Sequence, residues 1–167
     1  MKKSTYLHAG TATLLTLGLL LSSIPGAAQT PPEPEAKAKS TLIVTFDKLR
    51  SNKGVLHVLL FSQDKGYPDK PGQAFKMRDL TLSQFMGVGA NQVTITFADL
   101  PPGTYALSVH HDENSNNKLD MHWYGKPKEG VAASNNPRPK MRAARFNEAK
   151  FDMANTGKAI SVSLWYP

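Results

Sequence analysis

The chain of 167 residues contains no cysteine. Disulfides, thiol nucleophiles and thiolate metal sites are thereby excluded, and so is a lipoprotein anchor, which needs a Cys at its cleavage point. Beyond the first thirty residues there is no long apolar run, so nothing later in the chain is suited to span a bilayer. Neither G-x-S-x-G, H-E-x-x-H nor a phosphate-binding loop occurs. Acidic residues are the scarcer charge, 13 against 20 basic ones, for a formal net charge of +7. That excess is scattered, with no interleaved basic and aromatic stripe. It predicts a solvated basic surface and no nucleic-acid partner.

What is present starts with "MKKSTYLHAGTATLLTLGLLLSSIPGAAQT". Lys2 and Lys3 precede an uncharged, largely apolar run from Ala9 to Leu21, which Pro25 and Gly26 break. This is the layout of a secretory signal peptide, with cleavage expected after Ala28. Residues 1–28 are therefore expected to be removed, leaving an exported chain, periplasmic or secreted, with no membrane span. Residues 29–40, "QTPPEPEAKAKS", hold no large apolar side chain and predict a flexible tether. A single folded domain is expected over 41–167.

Within it, "TLIVTFDKL" alternates, with Leu42, Val44 and Phe46 on one face. "GVLHVLLFS" is apolar on both faces, as a central strand would be. "NQVTITFADL" points Val93, Ile95 and Phe97 inward, and "TYALSVHH" aligns Tyr105, Leu107, Val109 and His111. "KAISVSLWY" groups Ile160, Val162, Leu164 and Tyr166, and "ARFNEAKFDM" is a weaker strand pattern. Short alternating segments separated by turn residues predict an all-β fold, a single antiparallel β-sandwich of about seven strands, immunoglobulin-like or transthyretin-like. Two long loops are expected, over 63–90 with one helical turn near Gly72–Met77, and over 112–145. A polar loop as long as the second predicts a working surface.

Three segments, "GVLHVLLFSQDKGYPD", "ADLPPGTYALSVHHDENSNNKLD" and "GKPKEGVAASNN", resemble the exported bacterial proteins of the domain of unknown function 2141 family. The resemblance covers nearly all of 41–166 and implies an exported β-sandwich with no assigned chemistry. Asn117 stands where the family pattern usually has Gly. Lys126 replaces an apolar residue, and Val131, Ala132 and Ala133 replace an aromatic–Gly–aromatic run.

The motif richest in chemistry is "SVHHDENSNNKLDMHW". With Asp112 as the first position of a calcium loop, Asn114, Asn116 and Asp120 fall at ligand positions, and Lys118 falls where only a backbone carbonyl is used. Trp123 occupies the place of the usual bidentate Glu, so Glu129, or secondarily Glu113, is expected to complete the shell. Such a site predicts weak Ca²⁺ affinity, roughly 10⁻⁴–10⁻³ M. The alternative is a polar turn whose Asp and Asn side chains serve the backbone alone. A third reading is a copper-type centre using His110, His122 and Met121. Adjacent strand residues point to opposite faces, so His111 is expected to be buried and hydrogen-bonded rather than a ligand beside His110. Ser108 shares a face with His110 and Ser134 lies in the long loop, but no nucleophile–base signature accompanies them. The expectation is thus a non-catalytic binding or accessory domain acting on an exported ligand or envelope partner.

Overall fold

The computed structural model describes residues 39–140 and 142–167. The expected signal peptide and all but the last two residues of the expected tether lie outside them. The strands are β1 Ser40–Asp47, β2 Val55–Phe61, β3 Lys76–Thr81, β4 Val93–Leu100, β5 Gly103–Asp112, β6 Gly130–Ala133, β7 Phe151–Met153 and β8 Lys158–Ser163, with short helices α1 Leu82–Phe85 and α2 Phe146–Ala149. They build two sheets. One is three-stranded in the order β4-β1-β8; the other is five-stranded, β3-β2-β5-β6 with β7 on the start of β5.

The core lies between the sheets, because each strand's period-two pattern sends its apolar residues to one side. Leu42, Val44 and Phe46 of β1 pack with Phe97 and Val162 from their own sheet and with Leu56, Val58, Leu60, Leu107 and Val109 from the other. All are essentially inaccessible to water. Each such burial stabilises the fold by about 1.5–3 kcal/mol. As the PPG turn implied, the Tyr105 hydroxyl reaches back to donate to the Pro101 carbonyl at 2.8 Å.

The all-β sandwich is thus the observed architecture, with refinements. There are eight strands, and β1 pairs β8 in parallel while the other pairings are antiparallel. Alternation specifies which face a residue takes, not which neighbour a strand has or in which direction it runs. Each long loop contains a strand missed in sequence. Edge strand β3, "KMRDLT", is mostly exposed and so lacks an apolar signature, and β6 spans four residues. The turn expected near Gly72–Met77 is a single 3₁₀ turn, Pro71–Gln73. "ARFNEAKFDM" divides into α2 and β7.

Candidate functional site

The same alternation that fills the core sends a second set of side chains to the outer face of the five-stranded sheet. From β2 these are His57, Leu59 and Phe61; from β5, Ala106, Ser108 and His110. In register, His57 lies between Asp79 and His110, and Leu59 between Met77 and Ser108. Val131 of β6 is opposite His110 and Ala133 opposite Ser108. One end of this face is sealed by a small second core in which Phe61, Ala106, Ala133, Phe146 and Ala149 are buried together. The rest is open and floors a cleft of about 750 Å³.

The walls come from the two segments expected to be loops and from Trp165 near the C-terminus. Tyr67, Leu119, Met121 and Trp165 contribute apolar surface, and Lys126, Arg138, Lys140 and Arg142 bring cationic side chains to the cleft. Glu148 holds Arg142, and Arg138 donates to the Ser163 carbonyl at 2.9 Å. Val131, Ala132 and Ala133, the small residues at which the chain departs from the family pattern, all line the cleft. Their size leaves room that aromatic side chains would occupy.

The polar part of the floor is a pair of imidazoles backed by carboxylates. The rings of His57 and His110 are 5.6 Å apart. His57 Nδ1 lies 2.8 Å from Asp79 Oδ1. Its Nε2 is buried without a hydrogen-bond partner, 3.5 Å from Asp112 Oδ2. His110 Nε2 is 2.9 Å from Oε2 of the buried Glu129. His57 was not singled out in sequence. Its one signal is a polar residue interrupting a strand otherwise apolar on both faces, and its pairing with His110 across β2 and β5 is a tertiary fact.

The Asp/Asn loop adjoins this floor, and its polar atoms bond one another. Asp112 is fully buried and accepts the backbone N–H groups of Asn116 at 3.2 Å and Asn117 at 2.7 Å. Burial pushes its pKa up, but these two N–H groups and His57 outweigh it and hold the carboxyl below its ordinary value. Asn114 Oδ1 accepts the Asn116 N–H, and Asn116 Oδ1 accepts the Lys118 N–H. Asp120 Oδ2 accepts the side-chain amides of Asn114 at 2.7 Å and Asn116 at 3.3 Å. Glu129, expected to complete a calcium shell, reaches the loop through hydrogen bonds, accepting the backbone N–H groups of Glu113 and Asp120, both at 3.1 Å. These are the bonds a polar turn requires, and a cation would compete with N–H donors for most of the same oxygens.

Asn117 adopts φ +59°, the left-handed conformation that Gly takes most readily. Close by, Gly54 is required for a different reason: a Cβ there would lie 2.0 Å from the Asp112 carbonyl oxygen. Glu113 turns away from the loop to pair with Arg50 and to accept the Ser51 hydroxyl. Burial opposes its ionisation, but the Arg50 guanidinium holds its pKa below the usual value.

The other histidines separate. His111 is buried, its Nε2 donating to the Lys53 carbonyl at 2.9 Å and its Nδ1 2.7 Å from the Tyr166 hydroxyl. It is the buried, hydrogen-bonded residue that the strand phase implied. Met121 lines the cleft, as His110 does, while His122 stacks on Tyr124 with ring centres 4.9 Å apart. Among the described residues, no three His, Asp or Glu side chains are grouped as ligands of one ion. Ser134 is buried, donating to the Ala149 carbonyl and accepting the Leu107 N–H.

No curated protein and no solved structure matches the chain. The family described as an uncharacterized protein conserved in bacteria, domain of unknown function 2141, matches residues 44–161. That span runs from β1 into β8 and includes the paired histidines and Glu129, and the chain belongs to this family.

Proposed function

We propose that this is an exported, non-catalytic binding domain whose cleft takes a small amphipathic ligand bearing an anionic group. The cleft carries the reading: apolar walls that would bury the body of such a ligand, a polar floor limited to a few placed groups, and Lys126, Arg138 and Lys140, three cationic side chains in no salt bridge among the described residues, against the cleft's Asp69 and Asp79, which pair with Lys70 and His57. Export is supported by the N-terminal layout of basic start, apolar run and small residues. The non-catalytic reading is supported by a sequence without a nucleophile–base signature and by Ser134, whose hydroxyl is used in two internal bonds.

The test is binding of 1-anilinonaphthalene-8-sulfonate, an anionic apolar dye, followed by fluorescence titration. The folded wild type should bind saturably at one site. Val131→Phe, which fills the cleft, and Lys140→Glu, which reverses a charge beside it, should each weaken binding by about tenfold, with unchanged circular dichroism. Dye bound by both variants as tightly as by the wild type would remove the cleft from consideration.

A weak calcium site at 112–120 is a second, separable reading. It is supported by the ligand spacing of Asp112, Asn114, Asn116, Lys118 and Asp120 along the chain and by Glu129 reaching the same loop, while the hydrogen bonds within that loop are those of a polar turn. Ca²⁺ at a hundred times its dissociation constant should stabilise the fold by about 2.7 kcal/mol. Thermal melting with and without millimolar Ca²⁺ decides between ion and polar turn, and Asp112→Ala should erase any shift.

A further inference from the structure

One wall of the cleft continues into a hairpin that turns Trp123 and Tyr124 away from it, although Gly125 and Lys126 still line it. The Asp120 carbonyl accepts the Lys128 N–H at 2.8 Å, and His122 N–H donates to the Lys126 carbonyl at 2.7 Å. The Gly125 N–H closes the turn on the His122 carbonyl at 2.9 Å, with Gly125 at φ +83°. A glycine in this conformation is the standard end of a three-residue hairpin loop. The ladder holds out two aromatic side chains: Trp123 is 95% exposed and Tyr124 48%. An isolated exposed apolar residue needs no explanation, but a fully exposed Trp on an ordered turn, beside Tyr124 and the exposed Leu119 and Met121, forms an apolar patch of the kind that marks an interaction surface.

The electrostatics around the patch select the partner. Lys118, Lys126 and Lys128 flank the hairpin, and among the described residues no salt bridge involves them. Of the neighbouring acids, Asp112 and Glu129 are buried and Glu113 pairs with Arg50, so only the partly buried Asp120, which keeps its charge beside two neutral amides, stands against the three lysines. Outward charge here is therefore positive. Trp and Tyr beside Lys is the side-chain combination that settles at the headgroup level of a bilayer, with rings in the interface and ammonium groups on lipid phosphates.

We infer that the 120–128 hairpin is an interfacial anchor that docks the domain on an anionic lipid surface without crossing it. Trp123 is the inserted side chain and the three lysines hold it there electrostatically. Among the described residues no helix is long and apolar enough to cross a membrane, and this mode needs none. The inference does not depend on the cleft having a ligand.

Co-sedimentation of the purified chain with phosphatidylglycerol–phosphatidylcholine vesicles tests it, read together with Trp fluorescence. Wild type should bind at low salt, with a blue shift, and release as ionic strength rises. Trp123→Ala should lose at least about tenfold in partitioning, consistent with the burial of one large apolar side chain. Lys118→Glu and Lys128→Glu should each lose about fivefold or more. None of these side chains lies in the core, so unchanged melting curves show that the fold is intact. Three results overturn the inference: no binding to anionic vesicles, equal binding to pure phosphatidylcholine, or full binding by Trp123→Ala. A concentration-dependent dimer, seen by ultracentrifugation without lipid and abolished by Trp123→Ala, would also overturn it by assigning the tip to a second copy of the chain. Dye binding in the cleft is read separately, so loss of one property leaves the other measurable.

Discussion

The two faces of the five-stranded sheet are built from the same strands and obey opposite rules. The inner face, with Leu56, Val58, Leu60, Leu107 and Val109, is sealed against the second sheet, and His111 at its end has both nitrogens engaged. The outer face carries His57, Ser108 and His110 beside Leu59 and Met77, and is covered only in part, by Phe146, Tyr67 and the hairpin wall. Inside, exclusion of water holds the sheets together. Outside, buried carboxylates and imidazoles hold one another, and a cleft remains. A strand apolar on both faces therefore does not imply two sealed cores; here the second face divides into a small core and an open cleft.

The comparison can be broken first by truncation. Leu60→Ala on the inner face should cost about 2–5 kcal/mol in urea unfolding. Met77→Ala, on the half-exposed outer face, should stay within about 0.5 kcal/mol. Equal losses would mean that the outer face is as well packed as the inner one.

A smaller loss is expected where the outer face depends on charge. Asp112→Asn weakens two backbone hydrogen bonds to a buried carboxylate and should cost about 1.5–3 kcal/mol at neutral pH. The sign of its pH dependence follows from the lowered pKa of Asp112 in the fold. Its contribution is complete above the unfolded value of about 3.9 and is lost as pH falls through the lower folded value. Wild type and variant should therefore converge in melting temperature from about pH 4 downward, and a constant gap would remove the charge from the explanation. Glu113, lowered by Arg50, adds a loss of the same sign to both proteins.

Smaller again is the turn itself. Asn117→Ala places a side chain with no local polar compensation at φ +59° and should cost about 1 kcal/mol, while Asn117→Gly should be neutral or slightly stabilising. The smallest effect belongs to the surface. Arg142, then the Arg145 N–H, lower the Glu148 carboxyl to about 2, yet the pair is solvent-exposed, and Glu148→Gln should leave the melting temperature within experimental error.

Much of the inner face was legible beforehand. Leu42, Val44, Phe46, Phe97, Leu107 and Val109 were placed by alternation alone, and so was the burial of His111. Along the loop after β5, the sequence grouped Asp112, Asn114, Asn116, Lys118, Asp120 and Glu129 as ligands of one ion; the structure joins them by hydrogen bonds of a polar turn. It did not reveal β3 or β6, whose residues have too little apolar periodicity of their own to announce a strand.

By itself, then, the sequence determined the all-β class, the face each strand residue takes and the membership of the Asp/Asn loop, because period-two alternation and turn chemistry are local. The parallel pairing of β1 with β8, the meeting of His57 with His110 and Asp112, and the cleft between them were decided by tertiary structure. Those contacts join residues far apart in the chain, and strand neighbours are chosen by how whole faces pack, which no local pattern encodes.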